Sequence, residues 1–555
     1  MSIRQPDRLD AWILGSGIAS LTAAVHLLQE AQVPPSRIHI VETLGAPGGT
    51  TTSFGDAEHG YDYRGGVRPQ FNDICMDALL SLVPSKSNPK QTLRDDILQH
   101  AESHEAKGHT KPAQTRFVER KPDGISRVDA KKATLGLRDR IDLFMLASKT
   151  EKALGRAHIR DFFNESFFHS GYWLTLATTF GFKPSHSAAE FSRYLHRFNN
   201  LHDLQRLHPL DAGKYNVHES IINPIVEFLH SKGVDFHFNT TVCDVIFAYD
   251  KDTREPSFVT AIRTAPAHER STSIPSAKEK TIFLKDDDFV MVNLGSIYSS
   301  ILHGDNTHPP PCLEHIQSTL TPDTEDNPID TELDENWLLW LELSTKHSKF
   351  GNAYNFCTRL HDSRIESFTI TLHSPEFFTR LTEATGNAPG PTNILTLRDS
   401  SWLITLRIPS QPVFPDQPDS VQVCCGYALF PEKNGDYLAK PMLNCSGQEI
   451  LSEILHHLQF PIEPITSKSI TIPCIQPRAA ATLLPRVPEN RPHIIPPGVA
   501  NMAMIGPFVN IPDEVVVTAD YSVRGAQMAV RHLMKVDRLL KKSKRTSAIN
   551  LLGLL

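Results

Sequence analysis

The sequence predicts an α/β fold: a Rossmann-like, doubly wound sheet built to hold a dinucleotide, with a helical lid and a mixed α+β substrate domain. Three observations predict it. The apolar run Ala11–Leu14 ends in Gly15-Ser16-Gly17 and passes into a stretch, 18–28, with apolar residues at helical spacing. A second apolar run, Ile38–Val41, stops at the acid Glu42. Two later apolar runs, 289–294 and 502–505, each end in a small-residue turn, Gly295-Ser296 and Gly506-Pro507-Phe508.

The first two runs form a strand, glycine turn, helix, strand and terminal acid in the order of a dinucleotide-binding βαβ unit. Gly15 permits the tight turn. Gly17 has no side chain, so a pyrophosphate can approach the helix N-terminus and its unpaired N–H groups. Ser20 stands where the fingerprint has its third glycine and is small enough for helix–strand packing. Glu42 is placed to accept hydrogen bonds from an adenosine ribose. Gly48 and Gly49 follow, and then Tyr63-Arg64-Gly65-Gly66. A glycine pair just past the acidic strand suits flavoproteins better than nicotinamide dehydrogenases, so FAD is the expected cofactor.

Residues 86–130 are polar and broken. The stretch 137–235 is helical in pattern and rich in aromatics, including Phe162, Phe163, Phe167, Phe168, Trp173 and Phe180. These rings suit either core packing or the lining of a pocket for a long apolar substrate. Gly233 reads as a helix C-cap before a strand through Val242, which is expected to pass the adenine. Residues 250–285 read as an exposed polar hairpin and 303–333 as a long loop. Alternating patterns at 394–397 and 402–406 mark strands of a substrate domain. The run 502–508 and the helix after it, 515–533, are expected to close the flavin site. The expected division is therefore 1–135, 214–300 and 471–535 for the FAD-binding domain, 136–213 for the lid and substrate channel, 301–470 for the substrate domain, and 536–555 for a basic tail.

A length of 555 residues is too great for one simple core. The net charge of -7 gives no reason to expect nucleic acid as a partner. The eight cysteines are scattered without a CxxC pair, and none of the 26 histidines falls in a metal-binding spacing. A reduced, cytoplasmic setting and no bound metal are the expectation. The start, 1–10, lacks the apolar core of a secretory leader. The basic cluster 538–545 suits either weak contact with an anionic bilayer or an ordinary surface tail.

These pieces together resemble the oleate hydratase family, also called the myosin-cross-reactive antigen family, over about 11–535. The motifs that carry the resemblance are Gly15-Ser16-Gly17-Ile18-Ala19-Ser20, Tyr63-Arg64-Gly65-Gly66, Phe162-Phe163-Asn164-Glu165-Ser166-Phe167-Phe168, Tyr194-Leu195-His196-Arg197-Phe198 and Lys214-Tyr215-Asn216. Farther on come Ser401-Trp402-Leu403, the proline-rich stretch 411–418, Asp513-Glu514-Val515-Val516 and Ser522-Val523-Arg524. The resemblance implies FAD beside a fatty-acid channel and addition of water to an internal double bond, with no net redox change. It implies Tyr194 as the acid that protonates the alkene. It implies Trp402 and Arg407 at the substrate, and homodimers would suit the family.

The sequence departs from the family at the water-activating position. The family's Arg-Glu after Arg-Gly-Gly reads Val67-Arg68 here, and a guanidinium cannot accept a proton at neutral pH. Arg68 thus occupies the catalytic place without its chemistry. Asp62 and Asp73 are the nearest carboxylates in sequence. The family's carboxylate-holding threonine and asparagine read Arg407 and Pro409. Arg407 could pair with a carboxylate in bidentate fashion; a solvated rim or an internal ion pair is the alternative for both arginines. The competing functions are a redox or double-bond-isomerising flavoenzyme on a lipid-like or polyketide acid, and an inactive FAD- and fatty-acid-binding protein.

Overall fold

The computed structural model describes residues 4–49, 53–63, 71–106, 113, 115–122, 124–128, 135–198, 204, 209–267, 279–311, 333–391, 393–516 and 518–536. A five-stranded parallel sheet organises the nucleotide-binding half. Its spatial order is Met502–Ile505, Phe289–Asn293, Ala11–Leu14, Ile38–Val41, Asp235–His237. The inner strands are continuous apolar runs because a parallel sheet is covered on both faces. Helix Ile18–Gln29 returns over this sheet and packs against helix Ala519–Met534. Alanines 19, 23, 24, 526 and 529 are all buried and let the helices approach closely. Gln527 on the last helix stands 3.1 Å from His26 on the first and donates to the Cys75 carbonyl. The two chain ends are thereby joined in one core.

Strands Thr240–Tyr249, Pro256–Pro266 and Lys280–Phe283 form a three-stranded antiparallel sheet. This is more than the polar hairpin that the composition predicts.

The second large sheet has eight strands. They run Leu302–His303, Ser469–Gln476, Ile365–Leu372, Gln422–Ala428, Ile404–Arg407, Ile394–Leu397, Phe117–Lys121, Gly124–Val128. Every pairing is antiparallel except that of Ile394–Leu397 with Phe117–Lys121. The last two strands come from the stretch grouped by composition with the 1–135 nucleotide-binding segment. Ser469–Gln476 likewise straddles the boundary drawn at 470, pairing along its whole length with Ile365–Leu372. Both differences have one cause: the partners of these strands are distant in sequence, and composition carries no trace of them. One face of the sheet, with Phe368, Ile370, Leu395, Leu397, Ile404 and Leu406, forms a second core under helices Glu376–Thr385 and Gly447–Leu458. The short strand Gly60–Asp62 lies against the same sheet, where the Tyr61 and Tyr63 N–H groups donate to Thr371 and Thr369 hydroxyls. The chain that leaves the nucleotide loop is tied to the second sheet here.

The lid contains helices Leu137–Ala147, Gly171–Phe180 and Ala188–Arg197. Ser170 and Ser187 cap the latter two, each hydroxyl accepting an N–H three residues on. Glu190, in the first turn of Ala188–Arg197, is fully buried and bonded to Arg486 and Arg491. Burial alone would raise its pKa. Arg491, Arg486 and Arg193 outweigh burial and hold it at about 2. Glu190→Ala takes the fully buried carboxylate from Arg491 and leaves Arg486 with Glu151, 3.3 Å away. We expect it to destabilise the fold by about 3–5 kcal/mol, read as a lowered urea midpoint. The depressed pKa also means that this contribution is present above the ordinary glutamate pKa and is lost as pH falls towards 2.

Among the described residues no helix is long and apolar enough to cross a membrane. The basic tail 537–555 lies outside the described residues.

Candidate active site

Between the ends of the parallel strands lies a cleft lined by Gly15, Gly17, Gly48, Gly49, Gly295 and Gly506, with Glu42 and Ser296 beside them. Several of these positions admit no side chain. Gly15, Gly48, Gly49 and Gly506 have φ of +97°, +100°, +61° and +99°. A Cβ on Gly506 would stand 2.2 Å from Asn293 Oδ1, and one on Gly17 3.2 Å from Asn293 Nδ2. Helix Ile18–Gln29 starts at Gly17 with no side-chain cap and no acid in its first turn, and Ile18 and Ala19 line the cleft. Helix Ala519–Met534 also presents its N-terminal end, through Thr518 and Ala519. Two helix N-termini above a glycine floor form a cradle for an anionic dinucleotide. The residues fit the pyrophosphate and ribose of FAD.

Glu42 is nearly buried and does more than the fingerprint asks. Its Oε2 accepts from the Ser16 N–H at 2.8 Å and the Ser16 hydroxyl at 2.6 Å, and its Oε1 from the Leu44 N–H at 2.9 Å. Ser16 Oγ in turn accepts from the Gly48 N–H at 3.1 Å. The acid therefore staples the two glycine loops to each other while facing the cleft. Three of the expected residues stand behind the lining. Ser20 is buried in the helix, Phe508 packs on Trp337 and Trp340, and Val242 lies in a strand of the antiparallel sheet. Val242 follows the contact in which the Thr240 N–H donates to the Glu42 carbonyl. Arg64, Gly65, Gly66 and Arg68 lie outside the described residues.

Two lining residues escaped sequence reasoning. Asn293 ends the buried strand Phe289–Asn293; its Oδ1 is buried without a hydrogen-bond partner and its side chain fills the space between Gly15, Gly17 and Gly506. A polar residue closing an apolar strand was the available signal. Asp334 caps helix Glu335–Lys346, and burial pushes its pKa up to about 6 against the pull of the Trp337 N–H. It follows a long polar stretch, which gave no sign of a return to the cleft.

A second cavity lies against the eight-stranded sheet, lined by Tyr63, His100, Asp211, Lys214, Arg407 and Pro409, among others. Arg407 ends strand Ile404–Arg407 and is half-buried. Burial pushes the Asp211 pKa up to about 7, although the Asn72 N–H and the Arg407 charge act in the opposite direction. Trp402, expected at the substrate, is instead part of the second core. It is fully buried and its indole N–H donates to the Lys433 carbonyl at 2.7 Å. Leu403 beside it is buried as well, and the ring belongs to the second core rather than to the cavity lining.

Tyr194 is also fully buried, on helix Ala188–Arg197. Phe180 and Phe182 meet its ring edge-on at 4.7 and 4.8 Å, and Phe198 stands at 6.1 Å. Phe71 packs on Phe180 and Phe198 at 5.2 Å each. Arg197 on the same helix pairs with Asp73. Asp62 is instead directed to His303, 3.6 Å away. The fold thus ties Asp73, rather than Asp62, to the helix of Tyr194. Phe163, Phe167, Phe168 and Trp173 form an aromatic cluster with Phe191, which joins the rings around Tyr194 through Phe182 at 5.4 Å.

The whole chain has relatives. It is 30% identical to an oleate hydratase of Streptococcus pyogenes serotype M49 (strain NZ131), over 96% of this chain and 87% of that one. It is 25% identical to a linoleate hydratase of Lactiplantibacillus plantarum, over 96% and 95%. Among solved structures, cyclohexylamine oxidase from Brevibacterium oxydans IH-35A matches with a TM-score of 0.49 at 11% identity, over 95% of this chain and 99% of that one. The MCRA family model matches residues 8–531, and the chain belongs to the MCRA family.

Proposed function

We propose that the protein is an FAD-dependent hydratase that adds water to a carbon–carbon double bond of a long-chain unsaturated fatty acid. The observation that carries this reading is the near-complete alignment with two hydratases that act, by their names, on oleate and linoleate. The glycine-floored cleft supports FAD as the cofactor. When bound, FAD supplies a fixed planar and electrostatic surface beside the substrate, with no net electron transfer.

The chain's own residues supply the rest. An isolated alkene is a poor base, so its protonation needs a positioned acid. Tyr194 is that acid, in an aromatic cage that also excludes water from an acyl tail. Asp73 is the carboxylate assigned to the attacking water, held beside the Tyr194 helix by Arg197. Arg407 binds the substrate carboxylate in the second cavity.

Incubation with oleic and linoleic acids in oxygen-18 water, with FAD present, tests the proposal. The expected product is a hydroxy acid carrying one labelled oxygen. Turnover that needs an added electron donor and takes up no solvent oxygen would favour the redox reading, to which Arg68 in the water-activating place lends its weight.

Arg407→Gln is expected to raise KM for the free acid about 10- to 100-fold, because a charged hydrogen bond contributes about 1.5–3 kcal/mol. A methyl ester should not feel the change. Substrate affinity should also depend on pH. Below pH 7 Asp211 is protonated and adds no negative charge beside Arg407; above it, Asp211 ionises and repels a carboxylate. KM should therefore rise above pH 7, and Asp211→Asn should flatten the profile. The same raised pKa means that Asp211 favours the folded state at low pH and that this contribution is lost as pH climbs through 7.

A further inference from the structure

Three ligand-type side chains converge at the outer edge of the parallel sheet, away from both cavities. The register sets His39 opposite Asp235, and His237 follows two residues later, so the three project from one face. His39 Nδ1 lies 2.8 Å from Asp235 Oδ2, and His237 Nε2 lies 2.8 Å from the same oxygen. The first contact is a hydrogen bond. The second is not: His237 Nε2 is shut off from solvent and has no hydrogen-bond partner. A buried polar nitrogen left in this state carries a desolvation cost. A cation shared by the three groups removes it, since each nitrogen and the carboxylate oxygen then offers a lone pair to one centre.

The surroundings suit a bound ion. Trp12 stacks on His39 with centroids 4.2 Å apart and planes 14° from parallel, which holds the imidazole plane. Asp10 Oδ1 stands 3.7 Å from His39 Nε2, on the side where a ligating histidine is usually backed by a carboxylate. With ligands at about 2.0–2.1 Å, neighbouring donors on one zinc ion stand about 3 Å apart. The 2.8 Å contacts therefore need only small side-chain rotations. Two imidazoles and one carboxylate favour zinc over the oxygen-seeking calcium and magnesium. His39, Asp235 and His237 side chains are 14%, 44% and 38% exposed, so the cluster sits near the surface, within reach of an ion from solvent after small side-chain movements.

We propose that His39, Asp235 and His237 bind Zn2+, clipping the three-residue edge strand Asp235–His237 to strand Ile38–Val41. The clip bears on the fold rather than on the chemistry. None of the three residues lines the nucleotide cleft, but the His237 carbonyl accepts the Glu42 N–H at the end of the clipped pair.

The test uses full-length, untagged, flavin-loaded protein, stripped with EDTA and titrated with zinc chloride by calorimetry and thermal melting. One equivalent should bind and raise Tm, and EDTA should reverse the rise. His237→Gln and Asp235→Asn should each weaken binding at least tenfold, with visible flavin absorbance unchanged as the control for folding. If either fails to fold, His39→Gln replaces it. Absence of zinc binding in the parent protein, or unchanged binding in the variants, overturns the proposal. Cobalt supplies an independent reading. A thiolate-to-cobalt charge-transfer band would move the ion to Cys474, His303 and Asp62, the sulfur-containing cluster among the described residues, and would equally overturn it.

Discussion

Tyr194→Phe is expected to lower the hydration rate of oleic acid by about 10²–10⁴-fold, the usual contribution of a positioned general acid. The substitution removes only the phenolic oxygen. The ring stays, and with it the edge-on contacts to Phe180 and Phe182 that define the cage. Flavin content and melting temperature should therefore hold, and KM should move far less than kcat. That split separates a proton donor from a packing residue. Were kcat to stay within twofold of the parent, Tyr194 would be a core residue and the acid would have to be sought elsewhere. The assignment rests on position as well as resemblance, since Arg197 on the same helix brings a carboxylate, Asp73, to the neighbourhood.

Gly506→Ala should yield a protein that purifies largely without colour. The new methyl group would stand 2.2 Å from Asn293 Oδ1. Asn293 has little room to withdraw, because the positions of Gly15 and Gly17 close around the same side chain. The residue would also have to hold φ near +99°, a conformation that costs an L-residue about 1–3 kcal/mol. Both penalties fall on the cleft and not on the second core. We expect FAD affinity to drop by more than tenfold while the far-ultraviolet circular dichroism stays near that of the parent. Flavin fluorescence titration measures the first quantity directly. Normal loading in the variant would mean that the glycine floor is not the cofactor's seat.

The two predictions differ in how far the sequence anticipated them. Gly506 was visible as the small residue that ends an apolar strand, and the same grammar revealed Gly15, Gly17 and Glu42. A strand, its turn and the next helix are neighbours in the chain, so the physics that shapes them is local. Asn293 was less visible. Its importance comes from two distant segments, one with Gly15 and Gly17 and the other with Gly506, that meet around one side chain. Trp402 misled for a related reason: a motif residue can be held in place by packing, and only the tertiary contacts of its turn reveal that it belongs to a core. The hairpin Phe117–Lys121 and Gly124–Val128 was hidden in a polar stretch because its partner, Ile394–Leu397, lies far along the chain.

Local chemistry was thus enough to determine a glycine cradle on a parallel sheet, a helical segment after it and several strands of the second sheet, each written in short-range periodicity and turn residues. Tertiary contacts alone decided which carboxylate serves the Tyr194 helix, which arginine shares a cavity with a proton-holding Asp211, and how two histidines and an aspartate meet at a sheet edge. Those outcomes depend on strand register and long-range packing. Residues far apart in sequence acquire a common environment only when the chain closes on itself, and no window along the sequence contains that information.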